Sequence, residues 1–203
     1  MSLFKQKVDF NQFIADLIVF QFNFLEKNFD KLIALADESK VLTEKDKEEF
    51  LDKAHELIIA DIALTCQENF YKNLSSEKIG KAVCLVYAQY LTGHKKVPKT
   101  LVEEKLEKVM KLFDSVTKAE ETRKKQNEHY KGIGYQPPYN LNDTDKQRLY
   151  LCEGFSNYCA GENMESENWE SKYLSSFKFA KAFSISDIVA QALNQFSVIL
   201  PIS

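Results

Sequence analysis

The sequence predicts an all-α protein, and three observations carry that prediction. From Met1 to Ile79 it contains neither glycine nor proline, the two residues that most often interrupt a helix. Apolar residues recur through the same stretch at three- and four-residue steps, the period of a helix with one buried face. Of the 203 residues, 44% are hydrophobic and 12% aromatic, enough for a core of real size. The expected architecture is a single-domain antiparallel helical bundle of six or seven helices over 1–203, with a Gly/Pro/Tyr loop at 132–140. Loop 132–139 also offers a finer division into sub-units 1–131 and 140–203.

The first helix is expected from Val8 to Glu38. Two stripes run along it: Phe10, Phe13, Leu17, Phe20 and Phe24, then Ile18, Phe22, Leu25, Phe29, Leu32 and Ala36. Together they make a wide apolar face, opposed by Asp9, Gln12, Asp16, Asn23, Asp30 and Asp37. Thr43 is a suitable N-cap for a second helix running to Leu74, because Glu44 and Asp46 follow in the first turn where the helix dipole favours acids. Ser75 or Ser76 caps a third helix through Thr92, apolar nearly all round from Ala82 to Leu91 and therefore expected at the centre of the bundle. Gly93 and Pro98 bracket a turn.

In the fourth helix Val102, Leu106, Val109, Phe113 and Val116 form a short heptad seam. Beyond Thr117, Lys118–Glu128 holds only Ala119 that is not polar, and reads as a solvated or frayed helix end. A fifth helix starts near Asp143 or Thr144 and stops before Gly161. A sixth starts near Glu165 and carries Trp169, Tyr173, Phe177 and Ala180 at helical spacing. Ser184 with Asp187 forms a near capping box for a seventh helix, Ser186–Ser197. The apolar tail Val198-Ile199-Leu200-Pro201 is expected to dock on the body.

Charge and cysteine content exclude several classes of function. The net charge is −3, and of 27 basic residues only Arg123 and Arg148 are arginine, the side chain that bidentate phosphate and base recognition relies on. No nucleic-acid partner is expected. Asp16, Gln21 and Asp61 break the longest apolar runs below membrane-spanning length, and Asp16 also interrupts the one stretch that superficially resembles a signal peptide. Cys66, Cys84, Cys152 and Cys159 fall in expected helices without a CxxC pair, as small core residues of a reducing compartment. The expectation is a cytoplasmic protein with no membrane span.

Two places could carry chemistry or recognition. On a helical wheel Asp61 is surrounded by Ala54, Leu57, Ile58, Leu64, Thr65 and Glu68, so it points inward, while Glu49, Asp52, Glu56, Ala60, Ala63 and Gln67 form the outward arc. A buried carboxylate either finds a donor or becomes neutral. Asp61 is thus a structural polar residue, or it works with Glu68 as a catalytic or ligand-binding pair. Glu68 lies about 10 Å further along the axis, too far to share one ion without other helices. A ferritin-like site needs Glu-x-x-His twice. The nearest match is a single Asp52-x-x-His55 with Asp52 facing outward, so no metal and no cofactor are expected. No nucleophile elbow occurs, and no cysteine has an evident neighbouring base.

The second place is the segment holding Tyr130, Tyr135 and Tyr139, where glycines and a proline pair make a loop both permissive and stiff. Exposed aromatics there would form a binding surface, and the alternative is that they pack back on the body. The leading functional expectation is a non-enzymatic helical protein acting by protein-protein interaction. It would work as a homo-oligomer through the Val102–Val116 seam or as an adaptor through the tyrosine loop. The competing class is an enzyme or a small-ligand or metal-binding bundle with an internal carboxylate site around Asp61.

Overall fold

A computed structural model of the chain describes residues 5–37, 42–132, 143–161, 164, 169–183 and 186–201. Among them lie seven helices and two four-residue strands, in the order β1 (Gln6–Asp9), α1 (Phe10–Ala36), α2 (Glu44–Phe70), α3 (Ser76–Gly93), α4 (Lys99–Gly132), α5 (Asp143–Ala160), α6 (Trp169–Ala182), α7 (Ser186–Gln195) and β2 (Phe196–Ile199). The fold class is all-α. The helix starts follow local chemistry. Asp9 Oδ1 accepts the Asn11 amide at 2.8 Å at the head of α1. Thr43 and Asp46 cap α2 reciprocally, Asp46 N–H on Thr43 Oγ1 at 3.2 Å and Thr43 N–H on Asp46 Oδ2 at 2.9 Å. Ser75 Oγ receives the Lys78 amide at 3.3 Å at the head of α3.

The tail docks as a strand rather than as loose apolar chain. β2 pairs in parallel with β1, Val8 opposite Val198 and Asp9 opposite Ile199, where β-branched residues suit an extended backbone. Lys5 Nζ also donates to the carbonyl oxygen of Leu193.

The chain groups into two compact units, each assembled from distant segments: Met1–Phe29, Ala54–Val109 and Ser184–Ser203 in the first, Asp30–Lys53 and Met110–Phe183 in the second. The divisions fall inside α1, α2 and α4 and after Phe183. In the first unit Phe70 sits edge-on to Phe10 at 5.4 Å and to Phe13 at 6.3 Å. Phe22 packs against His55 at 4.7 Å, Tyr90 at 5.3 Å and Tyr87 at 6.0 Å. In the second, Phe50 meets Phe179 at 4.9 Å and Phe155 at 5.8 Å, and Phe183 stacks on Phe179. Such pairs add to what their burial alone contributes.

Several expectations change. The stretch buried on every side is Glu56–Ala63 of α2, whereas α3 keeps an exposed face with Lys81, Leu85 and Gln89. The proposed outward arc of α2 is therefore wrong at Glu56, Ala60 and Ala63, all of which are buried. On α1, Phe20 and Phe24 are exposed and Gln21 is buried in their stead. Asp37, assigned to the solvated stripe, is buried and accepts the Leu42 amide at 3.2 Å. In the turn that Gly93 and Pro98 bracket, the left-handed residue is Lys96, φ 53°. On α6 the buried residues are Ser175, Ser176, Phe179 and Ala180, so the Trp169, Tyr173 and Phe177 stripe is only half-buried. In the heptad seam Val102, Val109 and Val116 are buried, and Leu106 and Phe113 are half-buried. Lys118–Glu128 is ordinary helix inside α4, and of the Gly/Pro/Tyr loop at 132–140 only Gly132 is among the described residues.

Candidate functional site

Asp61 points inward, 1% exposed, on the central stretch of α2, with Thr65 buried one turn on and Glu68 half-buried beyond it. Glu56, placed outward by the sequence pattern, is buried on the same helix. Among the described residues no group of three His, Cys, Asp or Glu side chains could hold a metal ion. None of the four cysteines forms a disulfide, and burial pushes the Cys66 thiol up to about 12, which makes it a packing residue at neutral pH. Tyr130 is exposed on the last turns of α4 beside His129, with ring centroids 6.1 Å apart. Tyr135 and Tyr139 lie outside the described residues.

Two surface features stand out. The first is the outer face of α1. Phe20 and Phe24, one turn apart, are 53% and 42% exposed, flanked along the same face by exposed Asp16 and Lys27. Burying a phenylalanine is worth about 1.5–3 kcal/mol, so leaving two adjacent ones in water forgoes a substantial stabilisation. The inner face accounts for the pattern: α1 already buries Phe10, Phe13, Ile14, Leu17, Ile18, Phe22 and Leu25, and a helix cannot bury its whole circumference against one side.

The second is a groove in the second unit, between α4, the end of α5 and the start of α6. Gly154 lets α4 and α5 approach: a Cβ there would lie 2.5 Å from the Val116 Cα. Ser115 Oγ donates to the Gly154 carbonyl at 2.9 Å. Beside this contact Glu153, 6% exposed, receives Arg123 Nε at 2.8 and 3.0 Å and a further bond from Arg123 Nη2. The hydrogen bond to the Glu153 carboxylate raises the arginine's pKa still further, so Arg123 stays charged. Tyr173 is also raised, by burial first and then by the Glu153 charge, and remains a neutral phenol.

The groove has two recesses. One, of about 520 Å³, is lined by Lys111, Asp114, Lys118, Tyr158 and Trp169 among others. The other, of about 380 Å³, shares Lys118, Asn157 and Trp169 with it and continues to Arg123, Glu153 and Tyr173. Trp169 is fixed at the junction: its indole N–H donates to the Gly161 carbonyl at 2.9 Å, and its ring stacks on Tyr173 with centroids 5.1 Å apart. These volumes fall in the range of small-molecule sites, roughly 300–1,000 Å³.

Sequence reasoning missed this groove because it placed Trp169 and Tyr173 on the sixth helix without a role and read Lys118–Glu128 as a solvated or frayed helix end. A usable signal was Arg123, one of two arginines in a lysine-rich chain, since a buried carboxylate is best matched by a guanidinium. The chain matches no protein family, no curated protein and no solved structure.

Proposed function

We propose that the protein is a non-enzymatic helical protein that acts by protein-protein contact, with a second copy of itself as the partner of α1. The observation that carries this reading is the exposed pair Phe20 and Phe24 on a face bounded by one acid and one base. The face is self-complementary. Two α1 helices related by a two-fold axis between Phe20 and Phe24 run antiparallel, and each Phe20 then meets the other copy's Phe24. The same operation brings Asp16 of each copy within one residue's rise, about 1.5 Å along the axis, of the level of Lys27 on the other. Lys27 has no ion pair among the described residues, and the Asp16 carboxylate accepts one hydrogen bond there, from Gln12 Nε2 at 2.8 Å. In the seam at Val102–Val116 three residues are buried and Leu106 and Phe113 half-buried, whereas Phe20 and Phe24 on α1 are exposed, which favours α1 as the surface for self-association.

Sedimentation equilibrium tests the arrangement. The wild-type chain is expected to dimerise with rising concentration. Asp16→Lys or Lys27→Asp alone removes two symmetry-related pairs and is expected to weaken the dimer about tenfold. The double exchange restores opposite charges and is expected to recover most of the loss. A monomer at every concentration, or a dimer indifferent to all three variants, would overturn the reading.

A further inference from the structure

The groove along α4 gives a second, independent inference. Three properties define what fits it. Its floor is aromatic and held in place, because Trp169 is locked by the Gly161 carbonyl on one side and by Tyr173 on the other, so a flat ring can stack there with no side chain left to order. Its α4 wall is cationic. Lys111 and Lys118 lie two turns apart on one face, about 10 Å along the helix, and neither has an ion pair among the described residues. Asp114 lies between them, so the three side chains together leave one positive charge. Lys118, which lines both recesses next to Trp169, is where an anion is best placed. Arg123 does not serve, since Glu153 already engages it. Finally, Asn157 lines both recesses too, and its amide can hydrogen-bond a ring substituent.

We infer that the groove between α4, α5 and α6 binds a small planar anion, an aromatic ring bearing a carboxylate or a phosphate, with the ring on Trp169 and the charge at Lys118. The site shares no residue with the α1 face and stands whether or not the protein dimerises. An aryl carboxylate and a nucleotide share this chemistry.

Trp169 is the only tryptophan of the chain, so its emission reports the groove and nothing else. The experiment titrates the intact protein with 4-hydroxybenzoate and its neutral methyl ester, and with AMP and neutral adenosine. A saturable change in Trp169 emission is expected with one of the two anions, and which one answers identifies the source. The neutral counterpart is expected to bind about fivefold more weakly, as is the same anion to Lys118→Gln, an exposed position where the substitution leaves the fold intact. Lys111→Gln is expected to cost less, about twofold, because Lys111 lines only the larger recess. If neither anion changes the emission up to roughly 1 mM, the inference fails. It fails equally if the neutral counterparts bind as well as the anions, or if Lys118→Gln binds as tightly as the wild type.

Discussion

Gln21 shows how a single residue can be placed against its chemistry. It is 1% exposed on α1, and its Nε2 has no hydrogen-bond partner among the described residues. A buried donor left unmade costs about 1–3 kcal/mol, the desolvation it suffers without return. The neighbouring Phe20 is exposed, so the helix has in effect exchanged an aromatic for an amide at its inner surface. Gln21→Leu keeps a similar volume without the orphan donor and is expected to stabilise the protein by about 1 kcal/mol. Urea denaturation reads the change directly, and a lower midpoint would mean that the amide is satisfied in solution. Glu153 is a buried acid whose partner is visible, the guanidinium of Arg123. That pairing was within reach of the sequence through Arg123, whereas the burial of Glu56 was not: its wheel position looks outward until other elements cover that side.

At the scale of the helix, the contact of α4 with α5 depends on one glycine. Replacing a mid-helix glycine by alanine ordinarily stabilises by about 1 kcal/mol through propensity. At Gly154 the added methyl would lie 2.5 Å from Val116 Cα and 2.7 Å from its Cγ2, and two backbones would have to separate to admit it. Gly154→Ala is therefore expected to destabilise by about 2–3 kcal/mol, reversing the propensity effect. A melting temperature at or above that of the wild type would show that the helices do not approach this closely. Helix α6 carries a related lesson. Its aromatics Trp169, Tyr173 and Phe177 recur at helical spacing, but the buried residues are Ser175, Ser176, Phe179 and Ala180, while Trp169 and Tyr173 line the groove. Periodicity located the helix and its length. Which arc faced inward was set by what packs against it.

For the molecule as a whole, acid is the condition most directly tied to visible interactions. In the second unit Asp46 is held at about 2, below the ordinary 3.8, first by the Thr43 hydroxyl and then by Lys172, whose Nζ lies 2.9 Å away. Glu49 is also lowered, chiefly by its hydrogen bond from Lys53, and Lys53 further approaches the Cys159 carbonyl at 3.5 Å and the Tyr158 ring at 5.5 Å. Because both carboxylates are depressed in the folded state, their contribution is complete above the unfolded values near pH 4 and is lost as the pH falls below them, for Asp46 toward 2. With Lys172 partly solvated, about 1 kcal/mol is expected to disappear over that window for Asp46. Asp46→Asn should lose stability at pH 7 and show a flatter profile between pH 4 and 2 in thermal melts, and an unchanged profile would exclude Asp46 as a source of the acid sensitivity. What the sequence by itself determined was the all-α class and the approximate bounds of its helices, along with the inward aspect of Asp61. These follow from propensity, capping and period, which act within a few residues of chain. The tertiary structure alone decided that Glu56–Ala63 of α2 is buried on every side, that Phe20 and Phe24 stay in water, that Val102, Val109 and Val116 are buried, and that Trp169 and Lys118 line one groove. Each of those depends on which distant segment covers a given face, and burial of that kind is a property of the assembled chain, not of any local stretch.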